Sequence, residues 1–535
     1  MLAIQNLGYA HPNKDVLFDG LNLAVGPHQK VALIGNNGAG KSTLLQLIAG
    51  ILAPAAGHIS TSAPPCYIPQ HFGQFDGLTV AQALGVAGKI AALHEILDGR
   101  ATDANLVTLD DDWTIEERSR EALQHWGLLA ELSLTQPFAT LSGGQKTRVF
   151  LASIAIHRPE IVLLDEPSNH LDTAGRQLLY DFIKASASTL LVVSHDRQLL
   201  NLLDSVAELS KRGITLYGGN YDFYAEQKQV ESTALHHDVK SKEKALRKAR
   251  ETERQALERK QKLDARGKKS QDKAGMPTIV LGMMRNSAEN SGARLKSLHA
   301  EKVGIVSQEL SELRKELPDL DKMKFGFDNS ALHKGKILAA AKDLNYGYGP
   351  LPLWHPALNF QLRSGERIAL QGLNGAGKTT FIRLIRGDLE PQAGTLYRAD
   401  IQAVYIDQDY SLINNQLTVY EQAWQFNASA LQEHEVKIRL ARFLFAKDDW
   451  DKPCRALSGG EKMRLLLCCL TIRSQAPDLI ILDEPTNNLD IQNLAMLTAA
   501  LNGYQGTLLV VSHDAYFLKQ IGVERTLSLT RAGSR

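Results

Sequence analysis

The sequence predicts an α/β protein in which two related domains are joined by a long antiparallel α-helical hairpin. Three observations carry that reading. Four motifs occur twice in the same order, each copy sets a glycine-rich loop between an apolar strand and an apolar helix, and the copies are separated by a Lys/Arg/Glu/Ala-rich stretch found in neither. GNNGAGKST at 35–43 returns as GLNGAGKTT at 372–380, and LSGGQ at 141–145 as LSGGE at 457–461. IVLLDEPSNHLD at 161–172 returns as LIILDEPTNNLD at 479–490, and VVSHD at 192–196 as VVSHD at 510–514. A chain of 535 residues has room for two or three domains. They are assigned to 1–228, to a hairpin at 229–335, and to 336–535.

The spacing of the repeats locates an insertion. Lys41 and Lys378 lie 337 residues apart, and Gln70 and Gln408 lie 338 apart. Ser142 and Ser458 are separated by only 316 residues. The first domain therefore carries about 22 extra residues, assigned to about 85–112, whose LHEIL segment followed by a Gly and acidic turn reads as a short helical hairpin. It carries more acid (Glu95, Asp98, Asp103, Asp110, Asp111, Asp112) than base (Lys89, Arg100).

Between the repeats, residues 240–302 hold 18 Lys/Arg against 8 Asp/Glu, a local excess hidden by the whole-chain net charge of +1. From about Gln227 to Leu263 there is no Pro or Gly, which predicts a long exposed helix. Gly267 and the Gly275–Pro277 cluster should kink or end it. A second helix is predicted from about Ala288 to Leu317, with Leu295, Leu298, Val303, Val306, Leu310, Leu313 and Leu317 on one stripe and Pro318 as its stop. The tip would then be KKSQDKAGMPTIVLGMMRN, whose exposed Met/Ile/Val/Leu cluster is costly unless it meets a partner.

Composition excludes several classes. Hydrophobic residues at 44% and charged residues at 22% give a globular balance. Cys66, Cys454, Cys468 and Cys469 form no C-x-x-C pair, so buried thiols in a reducing compartment fit better than zinc, an iron–sulfur cluster or disulfides. No uninterrupted apolar stretch reaches the roughly 20 residues that span a bilayer. MLAIQNLGYA lacks the features of a signal peptide. A cytoplasmic location without membrane insertion is expected.

Each glycine-rich loop fits G-x-x-x-x-G-K-[ST] in its proper context, following KVALI or RIAL and opening an apolar helix. Glycines let backbone N–H groups wrap phosphates, and the helix N-terminus adds a favourable dipole. The phosphate-binding residues are therefore Gly35, Asn36, Asn37, Gly38, Ala39, Gly40, Lys41, Ser42 and Thr43, with Gly372, Leu373, Asn374, Gly375, Ala376, Gly377, Lys378, Thr379 and Thr380 in the second copy. Lys41 and Lys378 would reach the β- and γ-phosphates of ATP, and Ser42 and Thr379 would ligate Mg²⁺. IVLLDEP and LIILDEP read as buried parallel strands that end in carboxylate pairs. Asp165 and Asp483 suit the Mg²⁺ shell, and Glu166 and Glu484 suit the attacking water.

With LSGGQ and LSGGE beside these loops, the chain resembles tandem ATP-binding-cassette proteins, whose signature sequence those motifs match. The resemblance implies two P-loop cassettes packed head to tail as a monomer, with each ATP held between one phosphate loop and the opposite signature. One site would join Lys41, Asp165 and Glu166 to Ser458, Gly459, Gly460 and Glu461. The other would join Lys378, Asp483 and Glu484 to Ser142, Gly143, Gly144 and Gln145. It further implies that Gln70 and Gln408 reach metal and water, and that His195 and His513 are switch histidines at the γ-phosphate. Asp172 and Asp490 would close the loops that couple the sites, and Tyr9 and Tyr346 would stack on adenine. Glu461 for Gln and Ser168 for Thr depart from the usual pattern but keep hydrogen-bonding capacity. Both sites are expected to hydrolyse ATP.

The basic linker, EPSNHLD and EPTNNLD, and GGNYDFYAEQK at 218–228 make the whole chain resemble the ABC-F family. That resemblance implies a translation factor that binds the ribosome near its exit site. The linker at 240–302 would meet rRNA and P-site tRNA, and the 85–112 insert would correspond to the family's arm. A net-basic helical limb suits phosphate backbones without sequence readout. The acidic insert argues against strong RNA contact by the arm, and a C-terminal coiled coil of the kind some relatives add is not expected. DNA is an improbable partner, because zinc modules and very long coiled coils are missing. Two alternatives stay open: a ribosomal protection factor conferring antibiotic resistance, and the ATPase motor of a transporter with separate membrane subunits.

Overall fold

KVALI, IVLLD and TLLVV carry no polar alternation, which suits strands covered on both faces. In a computed structural model the first half runs β1 (Leu2–Ala10), β2 (Val16–Val25), β3 (Lys30–Ile34), α1 (Lys41–Ile48), β4 (Ala56–Thr61) and β5 (Cys66–Ile68). It continues with α2 (Ala87–Leu97), α3 (Asp103–Leu109), α4 (Ile115–His125), α5 (Gly143–His157), β6 (Ile161–Asp165), α6 (Thr173–Ala185), β7 (Thr189–Val193), β8 (Ser205–Ser210) and β9 (Gly213–Tyr217). The structure describes all residues except 13, 14, 129–131, 211, 272–296, 299, 315–332, 350, 374, 429, 474, 488 and 532–535, and gives no side-chain surroundings for 260 and 263–271. The hairpin tip from residue 272 onward, Leu295, Leu317, Pro318 and Asn374 therefore lie outside the described residues.

The strand order β5-β6-β7-β3-β8-β9 is parallel except for the β8–β9 pair. A second, antiparallel sheet has the order β2-β1-β4. Leu2, Leu7 and Phe18 from that sheet, Leu44 and Leu45 from α1, and Val31, Leu163 and Leu191 from the parallel sheet form one continuous core. Because β6, β7 and β3 are neighbours and point the same way, the segments that follow them emerge at one sheet edge. Those segments are the 165–166 carboxylates, His195 and the glycine-rich loop. This is the ordinary place for a ligand in an open α/β sheet.

The second half repeats the plan after α7 (Tyr221–Gln271), with β10 (Ile337–Asn345), β11 (Leu358–Arg363), β12 (Arg367–Gln371), α8 (Lys378–Arg386), β13 (Ala393–Arg398) and β14 (Ala403–Ile406). Then follow α9 (Gly459–Ile472), β15 (Leu479–Asp483), α10 (Ile491–Gly503), β16 (Thr507–Val511) and β17 (Arg525–Ser528). Its parallel sheet has the order β14-β15-β16-β12-β17, and its antiparallel sheet the order β11-β10-β13. The duplication reaches backbone detail. Gly57 (φ 82°) and Gly394 (φ 77°) occupy matching left-handed positions, where a Cβ would lie 2.3 Å from Asn6 O and 2.2 Å from Asp343 O. Cys454, Cys468 and Cys469 are buried and free, and burial pushes their thiols up.

The chain divides into two compact units, Met1–Tyr224 with Met323–Arg535, and Ala225–Lys322. The first boundary falls inside α7, because Tyr224 hydroxyl still donates to Glu208 of β8 at 3.1 Å. Within the second unit α7 runs through Gly267, so the helix does not end at that glycine. One glycine in an exposed helix costs only about 1 kcal/mol, which its Lys/Arg/Glu/Ala neighbours can carry. Residues 300–314 are also helical, and Val303, Val306, Leu310 and Leu313 of the expected stripe are at least half-buried, whereas Leu298 is exposed. Lys242 pairs with Glu309 at 2.5 Å and Arg314 with Glu243 at 2.6 Å. The insert forms α2 and α3, packed on each other.

Candidate functional site

Each phosphate loop turns on glycines that no other residue could replace without strain. Gly40 caps α1 with φ 94°, and a Cβ there would fall 2.6 Å from Phe18. Gly377 caps α8 with φ 87°, and its Cβ would fall 2.5 Å from Leu353. Lys41 Nζ donates to Gly35 O at 2.7 Å and Asn36 O at 3.2 Å, and Lys378 Nζ donates to Gly372 O at 2.8 Å. Burial lowers both lysine pKa values against the pull of the neighbouring carboxylates.

A cavity of about 530 Å³ holds Asn37, Gly38, Gly40, Lys41, Ser42 and Thr43 together with Gln70, Asp165, Glu166 and His195, and Ser458 enters it from the other half. A second cavity, of about 660 Å³, joins Gly375, Gly377, Lys378, Thr379, Thr380, Gln408, Glu484 and His513 to Ser142, Gly143 and Gly144 of the first half. The structure therefore brings each signature serine to the opposite phosphate loop. Gly459, Gly460, Gln145, Glu461, Gly35, Asn36, Ala39, Gly372, Leu373, Ala376 and Asp483 do not line these cavities. Further contacts cross between the halves: Asn37 N–H donates to Asp490 Oδ2 at 2.9 Å, and Thr173 Oγ1 lies 3.1 Å from His513 Nδ1.

The signature residues outside the cavities support those within them. Ser142 caps α5 and exchanges hydrogen bonds with Gln145 (2.9 and 3.3 Å). Ser458 does the same for α9 with Glu461 (2.8 and 3.3 Å). The second copy thus performs the capping with a carboxylate. Burial alone would raise the Glu461 pKa, but its pair with Lys452 at 2.9 Å and the Ser458 N–H bond outweigh that and lower it.

The aromatic residues expected to stack on adenine lie outside the two cavities. Tyr9 and Tyr346 pack against the two apolar cores and line neither cavity. His11 and Tyr348, two residues further on and 337 apart, line the cavities instead. Side chains alternate along an extended chain, but a two-residue step across a turn returns an aromatic ring to solvent; the matched spacing of His11 and Tyr348 was the available signal. Two tyrosine hydroxyls that no motif marks orient the strand-end carboxylates. Tyr67 donates to Asp165 Oδ2 at 3.2 Å, and Tyr405 to Asp483 Oδ2 at 2.9 Å.

Desolvation dominates the electrostatics. It raises the Glu166 pKa to about 8 and the Glu484 pKa to about 7, and it lowers His195 to about 3 and His513 to about 4. Each glutamate lies 3.3 Å from its histidine Nε2. Buried Glu166 Oε1 and Glu484 Oε2 have no hydrogen-bond partner, as fits groups that bind something brought in with the nucleotide. In its ionised form each carboxylate, set beside a neutral imidazole, is placed to take a proton from water. Ser42, Gln70 and Asp165 together offer hydroxyl, amide and carboxylate oxygens, the hard donors Mg²⁺ takes alongside phosphate and water.

A raised carboxyl pKa means that Glu166 contributes stability fully below 4.5 and loses it as pH rises toward about 8. Glu166→Gln removes that titration. The unfolding midpoint of the nucleotide-free variant should therefore exceed that of the unmodified chain by a margin growing to about 2–4 °C by pH 8. Calorimetry at pH 5, 6.5 and 8 checks this, and a margin that narrows with pH contradicts it.

A family model described as ABC transporter matches residues 18–169 and 356–487. "Putative ATP-binding protein YdiF" of Bacillus subtilis (strain 168) is 31% identical over 96% of this chain and 78% of its own length. "Energy-dependent translational throttle protein EttA" of Mycobacterium tuberculosis (strain ATCC 25618 / H37Rv) is 31% identical over 95% and 88%. "ABC transporter F family member 5" of Arabidopsis thaliana is 29% identical over 97% and 73%. The chain belongs to the ABC-F family. As an ABC-F protein it is an ATP hydrolase with two cassettes. The solved structure of "RNase-L Inhibitor" shares the fold, with a TM-score of 0.60 at 20% identity over 97% of this chain and 87% of that one. Among the described residues no helix of this ABC-F chain is long and apolar enough to cross a membrane.

Proposed function

We propose that this chain is a cytoplasmic, ribosome-binding ABC-F ATPase that docks near the exit site and acts through its linker on P-site tRNA and rRNA to modulate translation. The observation that carries the reading is the surface of α7, where Lys240, Lys244, Arg247, Lys248, Arg250, Arg254, Arg259 and Lys262 are all exposed. A sequence-independent contact with a phosphate backbone needs such a limb. EttA, an energy-dependent translational throttle protein similar over 95% of this chain, agrees with a role in translation.

In this reading ATP closes the two halves, because only the closed form lets one nucleotide touch a phosphate loop and the opposite signature together. Lys41 and Lys378 neutralise the β- and γ-phosphates. Glu166 and Glu484 orient and deprotonate the attacking water, and His195 and His513 hold the γ-phosphate side of each site. Ser42, Gln70 and Asp165, with Thr379, Gln408 and Asp483, would hold Mg²⁺, which supplies charge neutralisation on the phosphates. His11 and Tyr348 flank the base. Loss of the γ-phosphate removes the bridge and releases the ribosome-bound form.

The test is co-sedimentation of the Glu166→Gln/Glu484→Gln protein with ribosomes in ATP. It should pellet with ribosomes, and Lys244→Glu/Arg247→Glu/Lys248→Glu in the same background should free it at moderate salt. A double-glutamine protein that binds ATP and stays in the supernatant rules the reading out.

A further inference from the structure

The two ATP sites are not chemically equivalent, and the difference lies in what each half lends to the other. Asp172 starts α6 and Asp490 starts α10, and the two helices occupy matching places in the repeat, 318 residues apart. One turn into α6 stands Arg176; the matching residue of α10 is Leu494, buried and apolar. At the first position of each helix stand Thr173 and Ile491. The first half therefore presents a hydroxyl and a guanidinium where the second presents two aliphatic side chains.

Arg176 is buried and lines the cavity built on Lys378, Glu484 and His513. Its Nε donates to Leu171 O at 3.3 Å and its Nη1 to Asp196 Oδ2 at 3.5 Å. Asp196 is itself fixed by Tyr180 hydroxyl at 2.6 Å and by the backbone N–H groups of Gln198 and Leu199. A guanidinium has five N–H donors, so these bonds anchor it without exhausting it. Thr173 lies 3.1 Å from His513 Nδ1. With His513 Nε2 accepting from Lys378 Nζ at 3.1 Å, Nδ1 carries the ring proton and donates it to Thr173. His195, the counterpart of His513, has a buried Nδ1 with no partner.

We propose that Arg176, assisted by Thr173, is a positioning residue supplied in trans to the site built on Lys378, fixing His513 and Glu484 and making that site the faster of the two. A guanidinium anchored at Leu171 O and Asp196 holds its charge in one place beside His513 and Glu484, so those two groups need less reorganisation during the reaction. Arg176 also touches Asp196, the residue after His195, so it ties the histidine segment of one site to the reacting groups of the other. The positive field it exerts on Glu484 and His513 agrees with this placement. The inference rests on the two-site reading above.

The test traps a photoreactive ATP analogue with vanadate, cleaves the protein, and measures label on peptides of each half. In the unmodified chain both halves should label, the second half sooner. Arg176→Leu and Arg176→Gln should each lower the labelling rate of the second half about tenfold, less than the 10²–10³-fold typical of removing a donor that touches the transition state. The first half should change less than twofold, and Arg176→Lys should restore most of the rate with ATP affinity unchanged. Equal loss in both halves, or no loss in the second, overturns the proposal. An unmodified chain that labels in neither half overturns the two-site reading, and this inference with it.

Discussion

Replacing Glu166 and Glu484 together by glutamine lowers ATP turnover by roughly 10²–10⁴-fold while leaving ATP affinity nearly unchanged. The effect is large because each carboxyl keeps a buried oxygen without a hydrogen-bond partner inside its cavity and has a pKa pushed to about 8 or about 7. The phosphate loops carry the binding, so the amide removes the proton acceptor and spares the grip. Steady-state phosphate release against equilibrium ATP binding separates the two effects. A parallel loss of binding would place the glutamates in the phosphate grip instead.

Gly144→Ala is expected to lower turnover at the site built on Lys378 by about 10²-fold, comparable with losing an oxyanion donor. A Cβ at Gly144 would lie 2.7 Å from His170 O, a backbone atom that cannot rotate away. The signature turn and the 168–172 segment must then separate, and Ser142 leaves the cavity it lines. Gly143→Ala meets the His170 side chain at 3.2 Å, a contact that a shift of a few tenths of an ångström relieves, and should cost less than threefold. Turnover of the two variants, measured beside their unfolding midpoints, distinguishes a lost contact from a lost fold.

The fold was legible because the repeat is dense in residues with little freedom. Two glycine-rich loops and two apolar strands ending in carboxylates, repeated in the same order, point to two copies of one α/β architecture. Lys41, Glu166 and His195 could be brought together from sequence, since they follow β3, β6 and β7, adjacent parallel strands. What could not be read were features set by side-chain direction across a turn, or by the other half. His11 and Tyr348 line the cavities, whereas Tyr9 of β1 and Tyr346, just past the end of β10, pack against the cores. Arg176 and Thr173 look like ordinary helix-start residues until the fold sets them beside His513. The α7 helix runs past Gly267 because a solvated, charged helix tolerates one poor helix former.

The central claim is that each site is shared between the halves, and photoreactive ATP trapping on Gly144→Ala tests it most directly. Gly144 belongs to the first half but lines the cavity of the second phosphate loop. Loss of label from peptides of the second half, with the first half still labelled, is the predicted result. Loss from the first half alone would mean that each signature serves its own cassette, and would contradict the account.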